Sequence, residues 1–78
     1  MAEERFFVGD EVRLAGVNRH GKNRVRENGE WWEVVTVDGG NSSILSTKIC
    51  VEPMSGTGNW RWIDIPEDRD MRIVEHVM

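Results

Sequence analysis

Residues 45 to 52, LSTKICVE, alternate without a break: Leu45, Thr47, Ile49 and Val51 fall on one side and Ser46, Lys48, Cys50 and Glu52 on the other. A repeat of two belongs to a half-buried strand, whereas a helix would repeat near 3.6. The same alternation runs through DEVRLA at 10 to 15, with Val12 and Leu14 opposed to Glu11 and Arg13, and eight Gly break the chain at short intervals. Such a pattern excludes a helical bundle and points to an all-β domain. The chain has 78 residues, and a domain of that size buries only about 60 to 65% of the surface it exposes when unfolded. With so thin a core, short strands protect their edges best in a closed or nearly closed sheet.

Five strands follow from the pattern: 10 to 15, about 30 to 38, about 43 to 52, WRWIDI at 60 to 65, and MRIVEHV at 71 to 77. Phe6, Phe7 and Val8 are expected to pack across one mouth of the sheet. Residues 16 to 29, GVNRHGKNRVRENG, show no sustained alternation and read as a long loop or irregular hairpin. DGGN at 38 to 41 is a hairpin signal, and PMSGTGN is a turn by composition. PEDRD, whose Pro66 donates no backbone hydrogen bond, suggests one tight helical turn before the last strand. No internal repeat, low-complexity tract or linker divides the chain. It reads as one domain over 1 to 78, with 1 to 5 as a flexible tail.

The lone Cys50 closes no internal disulfide, and one Cys with two His does not supply a Cys/His zinc set. No metal or other cofactor is expected. No apolar run approaches the roughly 20 residues of a membrane span, and the start lacks a signal-peptide pattern, so the chain reads as soluble and cytoplasmic. Fourteen acids against ten bases give a net charge of −4, which disfavours whole-surface contact with nucleic acid. Arg19, Lys22, Arg24 and Arg26 nevertheless fall within eight residues, leaving six bases against all fourteen acids, a charge of −8, on the rest of the chain.

Trp31 and Trp32 are neighbours in a strand, so they point to opposite faces. If Val35 and Val37 face inward, Trp31 joins them; if Val34 faces inward, Trp32 does, and a bulge near Glu33 would reverse the parity partway. In the fourth strand Trp60, Trp62 and Asp64 share one face, and Arg61, Ile63 and Ile65 the other. Both faces carry bulk. Large rings plug and cover a small barrel, but an exposed aromatic patch also marks an interaction surface.

FFVGDEVRL, GEWWEVVTVDGG, WRWIDI and the short turn before MRIVEHV resemble a small Src-homology-3-like barrel, the likeness covering residues 6 to 77. The resemblance implies a five-stranded barrel with a long first loop and a short helical turn before the last strand. True Src-homology-3 domains form a groove for Pro-rich peptides with the first Trp of such a pair, which would be Trp31. Those grooves are walled by Tyr, absent here, and flanked by an acidic first loop where this one is basic. The size, acidity and motif order also resemble small accessory proteins of bacteriophages or prophages that dock on a host protein.

Catalytic signals are sparse. Asp64, Glu67, Asp68 and Asp70 form an acid cluster that reads as solvated, neither His20 nor His76 has an evident nucleophile beside it, and Cys50 reads as inert and partly covered. The chain is therefore expected to be a non-enzymatic binding module. Its surface would use Trp31 or Trp32, Trp60 and Trp62, with Arg19, Lys22, Arg24 and Arg26 as a charged flank. A protein partner is the first expectation; a nucleic-acid barrel with bases stacked on Trp, or a self-associating structural protein, are the rivals.

Overall fold

The computed structural model describes residues 6–37, 48–65 and 68–77. Its elements in chain order are β1 (Glu11–Gly16), α1 (Arg19–Asn28), β2 (Trp31–Val37), β3 (Lys48–Pro53), β4 (Arg61–Asp64) and β5 (Met71–Val77). The strands form one antiparallel sheet in the order β4-β3-β2-β1-β5, curled into a half-barrel. This is a small all-β barrel of the expected kind, consistent with an Src-homology-3-like architecture. Residues 1 to 5, the DGGN turn and the first part of the expected third strand lie outside the described residues.

The inner face follows the alternation. Val12 and Leu14 of β1, Ile49 and Val51 of β3, and Ile63 of β4 are buried and pack with Phe6, Trp32, Val34, Val37 and Met71. Two bulges make the parity work. Val34 pairs with Val51 and Thr36 with Cys50, so Val35 is an extra residue; Arg13 pairs with Glu75 and Leu14 with Ile73, so Val74 is another. The first bulge lets Trp32, Val34 and Val37 all face inward, which a regular strand forbids. It sits two residues beyond the Glu33 position considered from sequence.

The stretch expected as a long loop is instead the helix α1. Asn18 begins it in an extended conformation, its Oδ1 accepting the Gly21 N–H at 2.8 Å, which satisfies one of the free donors of the first turn. Gly29 ends it at φ 90°, its N–H donating to the Val25 carbonyl at 2.7 Å, a backbone geometry that suits Gly. The buried side of α1 is Gly21 and Asn28, with Val25 half-buried against the core. Only one of those three is apolar, so the helix leaves no hydrophobic period. Gly21 is required by space: a Cβ there would collide with the Asp70 carbonyl.

Phe6 is buried, whereas Phe7 and Val8 are 41% and 63% exposed, so the expected three-residue plug is Phe6 alone. A tight turn explains this: the Phe7 N–H donates to Asp10 Oδ2 at 3.0 Å and the Asp10 N–H to the Phe7 carbonyl at 3.0 Å, turning Phe7 outward. Asp10 Oδ2 also lies 2.8 Å from His76 Nε2, and the His76 ring stacks on Phe6 with centroids 4.4 Å apart. Phe6, Asp10 and His76 thus pack together, with Phe6 and Asp10 buried. Before β5, Asp68 is not a solvated acid. Its side chain is 5% exposed, and it accepts the N–H groups of Asp64, Asp70 and Met71 at 2.8, 3.0 and 3.2 Å. Arg69 and Asp70 form a bend; Pro66 and Glu67, where the tight helical turn is expected to begin, lie outside the described residues.

Candidate functional site

The four Trp separate cleanly. Trp32 is fully buried, its indole N–H donating to the Gly29 carbonyl at 3.0 Å, so the inner face closes it off from any partner. Trp31 is half-buried on the outer face, opposite Arg13 of β1. Trp60 and Trp62 are 60% and 40% exposed on the outer side of the edge strand, while Ile63 between Trp62 and Asp64 points into the core. A large indole left in water on an edge strand contributes little to folding.

An ordered loop sets Trp60 in place. Asn28, at the end of α1, is buried; its Oδ1 accepts from Thr57 Oγ1 at 2.7 Å and from Asn59 Nδ2 at 2.9 Å, and its Nδ2 donates to the Arg24 carbonyl at 2.9 Å. Ser55 Oγ donates to the Asn28 carbonyl at 2.8 Å, and the Met54 N–H to the Trp31 carbonyl at 3.0 Å. The helix end therefore fixes the turn that delivers Trp60 to the outer face. Nothing in the residue pattern marked Asn28; its one sequence signal is a polar side chain just before a Gly that ends a helix.

Between the two exposed indoles lies a shallow, mainly apolar groove of about 320 Å³, lined by Val35, Thr36, Cys50, Glu52, Trp60 and Trp62. Cys50 and Trp62 are directly paired across β3 and β4, and Cys50 is 6% exposed although its strand parity is outward. Burial pushes the Cys50 thiol above its ordinary pKa, and the charge of Glu52 adds to the effect. The bulge at Val35 puts an aliphatic side chain on the outer face beside this groove.

Trp62 also borders a polar cleft of about 670 Å³, where His20, Asn23, Arg24 and Glu27 of α1 confront Arg61 and Asp70. Arg61 Nη2 lies 3.5 Å from Asp70 and 3.7 Å from Asp68, while its Nε is enclosed without an acceptor. The Asp70 carboxyl is held below its ordinary pKa chiefly by the Asn18 side-chain hydrogen bond, at 2.7 Å, with help from Arg61. Opposing charges largely cancel within the cleft.

The helix also divides the basic quartet. Arg19, Lys22 and Arg26 recur at spacings of three and four and form one exposed stripe, whereas Arg24 lies on the cleft side with His20 and Glu27. Only Arg24 is brought near Trp62. Among the described residues no group of His, Cys, Asp and Glu is placed to hold a metal ion, and no helix is long and apolar enough to cross a membrane. No protein-family model matches the chain, and no curated protein or solved structure matches it.

Proposed function

We propose that this protein is a small Src-homology-3-like barrel that works as a non-enzymatic protein-docking module, with the outer groove between Trp60 and Trp62 as its contact surface. The observation that carries the reading is the pair of indoles, 60% and 40% exposed, held beside an apolar groove by a loop that hydrogen-bonds to Asn28. Exposed Trp beside an apolar pocket is typical of the residues that dominate protein interfaces. The site differs from the one the Src-homology-3 resemblance implies: Trp31 lines neither hollow. A phage- or prophage-type accessory protein docking on a host protein would need such a surface, and the chain's size and acidity fit that role.

A nucleic-acid reading draws support from the exposed Arg19, Lys22 and Arg26 stripe. It is the weaker one, because those cations line neither the groove nor the cleft that Trp62 borders, so phosphate contacts and base stacking would fall on different faces. An oligonucleotide that bound at about 50 mM salt and was lost when Arg19, Lys22 and Arg26 became Glu would favour it.

The docking reading is tested by displaying a randomised heptapeptide library to the purified chain, with counter-selection on a Trp60→Ser/Trp62→Ser double variant. Sequences that bind the natural chain and not the variant are expected. Enrichment of sequences that bind both alike, or of none, would sink it.

A further inference from the structure

The partner's chemistry is written beside the groove. Glu52, which lines it, lies directly opposite Glu33 of β2, and Glu33 lies directly opposite Glu11 of β1. Val12, Trp32, Val34 and Val51 face inward, so the three glutamates share the outer face. All three are at least partly exposed, and none of their carboxylates makes a hydrogen bond or ion pair among the described residues. Two cations share this face and both are engaged: Arg13 lies 2.9 Å from Glu75 and 3.5 Å from Glu30, and Lys48, two residues before Cys50 on β3, has a partner other than these three glutamates. Like charges placed directly opposite on adjacent strands destabilise a sheet. The fold therefore forms in spite of this row, which explains nothing about the barrel's stability and asks for a ligand of opposite charge.

We infer that the groove takes an extended protein segment whose aliphatic or aromatic side chain enters between Trp60 and Trp62 while Lys or Arg side chains on the same face lie over Glu52, Glu33 and Glu11. The inference rests on the docking reading and adds the partner's charge and spacing. Adjacent strands are about 4.8 Å apart, so Glu33 and Glu11 lie about 5 and 10 Å beyond Glu52. A segment extended at about 3.3 Å per residue sends alternate side chains to one face about 6.6 Å apart, near enough to the step of the row for long Lys or Arg side chains on alternate residues beyond the apolar anchor to reach successive glutamates. Charge complementarity decides the occupant: an acidic or neutral segment would add a charge of the same sign or leave the row unpaired. A second copy of the chain is a poorer fit, because its basic stripe on α1 carries no large apolar side chain among Arg19, Lys22, Asn23 and Arg26 to fill the groove.

The test reads the enriched heptapeptides for charge and then measures one of them, labelled with fluorescein, by anisotropy against the full chain. The expected sequences carry Lys or Arg on alternate residues beyond an aliphatic or aromatic residue. The affinity should fall at least tenfold in a Glu33→Gln/Glu52→Gln double variant and also when salt is raised from 50 to 300 mM. That variant should at the same time melt at a higher temperature, because it removes the repulsion, so lost binding is not lost folding. Enriched peptides that are neutral or acidic, or an affinity unchanged in the double variant, would overturn the inference. If such peptides still lose binding in Trp62→Ser, the groove remains a docking surface and only the basic partner falls. If no enriched peptide responds to Trp62→Ser, both readings fall. Concentration-dependent self-association that disappears in the double variant would assign the face to a second copy and overturn the proposed partner.

Discussion

Trp32 and Trp62 belong to strands separated only by β3, yet one indole is fully buried and the other is 40% exposed. Residue type does not distinguish them. Trp32 lies on the inner face, where Val12 pairs with it from β1 and the Gly29 carbonyl accepts its N–H, so both its ring and its polar atom are satisfied inside. Trp62 lies on the outer face of an edge strand, directly paired with the buried Cys50. The two faces of one small sheet thus differ: the inner face stabilises the fold, and the outer face leaves two indoles exposed beside a groove.

The comparison breaks most easily at Trp32. Trp32→Ala removes a fully buried ring and should cost about 3–5 kcal/mol, a large share of the roughly 5–15 kcal/mol that holds a domain together. Trp60→Ser should change stability by no more than about 0.5 kcal/mol. Urea unfolding of both variants checks the contrast, and equal losses would erase the distinction between the faces.

A smaller effect is expected at the joint between them. Asn28→Ala leaves Thr57, Asn59 and the Arg24 carbonyl without their partner, and an unmade buried hydrogen bond costs about 1–3 kcal/mol. The distinguishing readout is local: hydrogen exchange should accelerate at 54 to 60 more than in β1 or β5. Uniform acceleration would show that Asn28 supports the whole core rather than the loop that carries Trp60.

Cys50 sharpens the comparison on the outer face. Its raised pKa and cover should make it react with iodoacetamide more slowly than a free cysteine. Trp62→Ser should speed the reaction severalfold while the fold persists. A rate unchanged by that substitution would mean that Trp62 does not lie over the thiol.

The smallest expected effect concerns Asp70, whose carboxyl has a folded pKa below the ordinary 3.8. A depressed folded pKa contributes stability that is present above the unfolded value and is lost as pH falls through the folded one. The natural chain should therefore lose stability in acid faster than Asp70→Asn below about pH 3.8. Parallel acid profiles would show that the Asn18 contact does not hold the charged form.

What the residue pattern revealed is what alternation can encode. Val12, Leu14, Ile49 and Val51 were legible as core because period two has one reading on a regular strand. The choice between Trp31 and Trp32 was open because it depends on a bulge, and the extra residue, Val35, is no different in kind from its neighbours. The helix α1 was hidden for a related reason. Gly21 and Asn28 are chosen for close approach and hydrogen bonding rather than hydrophobicity, so the signs were Asn18 before and Gly29 after, not an apolar stripe. The row of Glu11, Glu33 and Glu52 depends on register across three strands, which no single strand encodes.

The division between the faces is tested most directly by following the four indole N–H resonances as a soluble paramagnetic agent is added to the full chain. Trp60 and Trp62 should broaden first and strongly, and Trp32 should keep its intensity and exchange slowly with deuterium. Broadening of Trp32 alongside Trp60, or protection of all four, would contradict the assignment of one face to the core and the other to a partner.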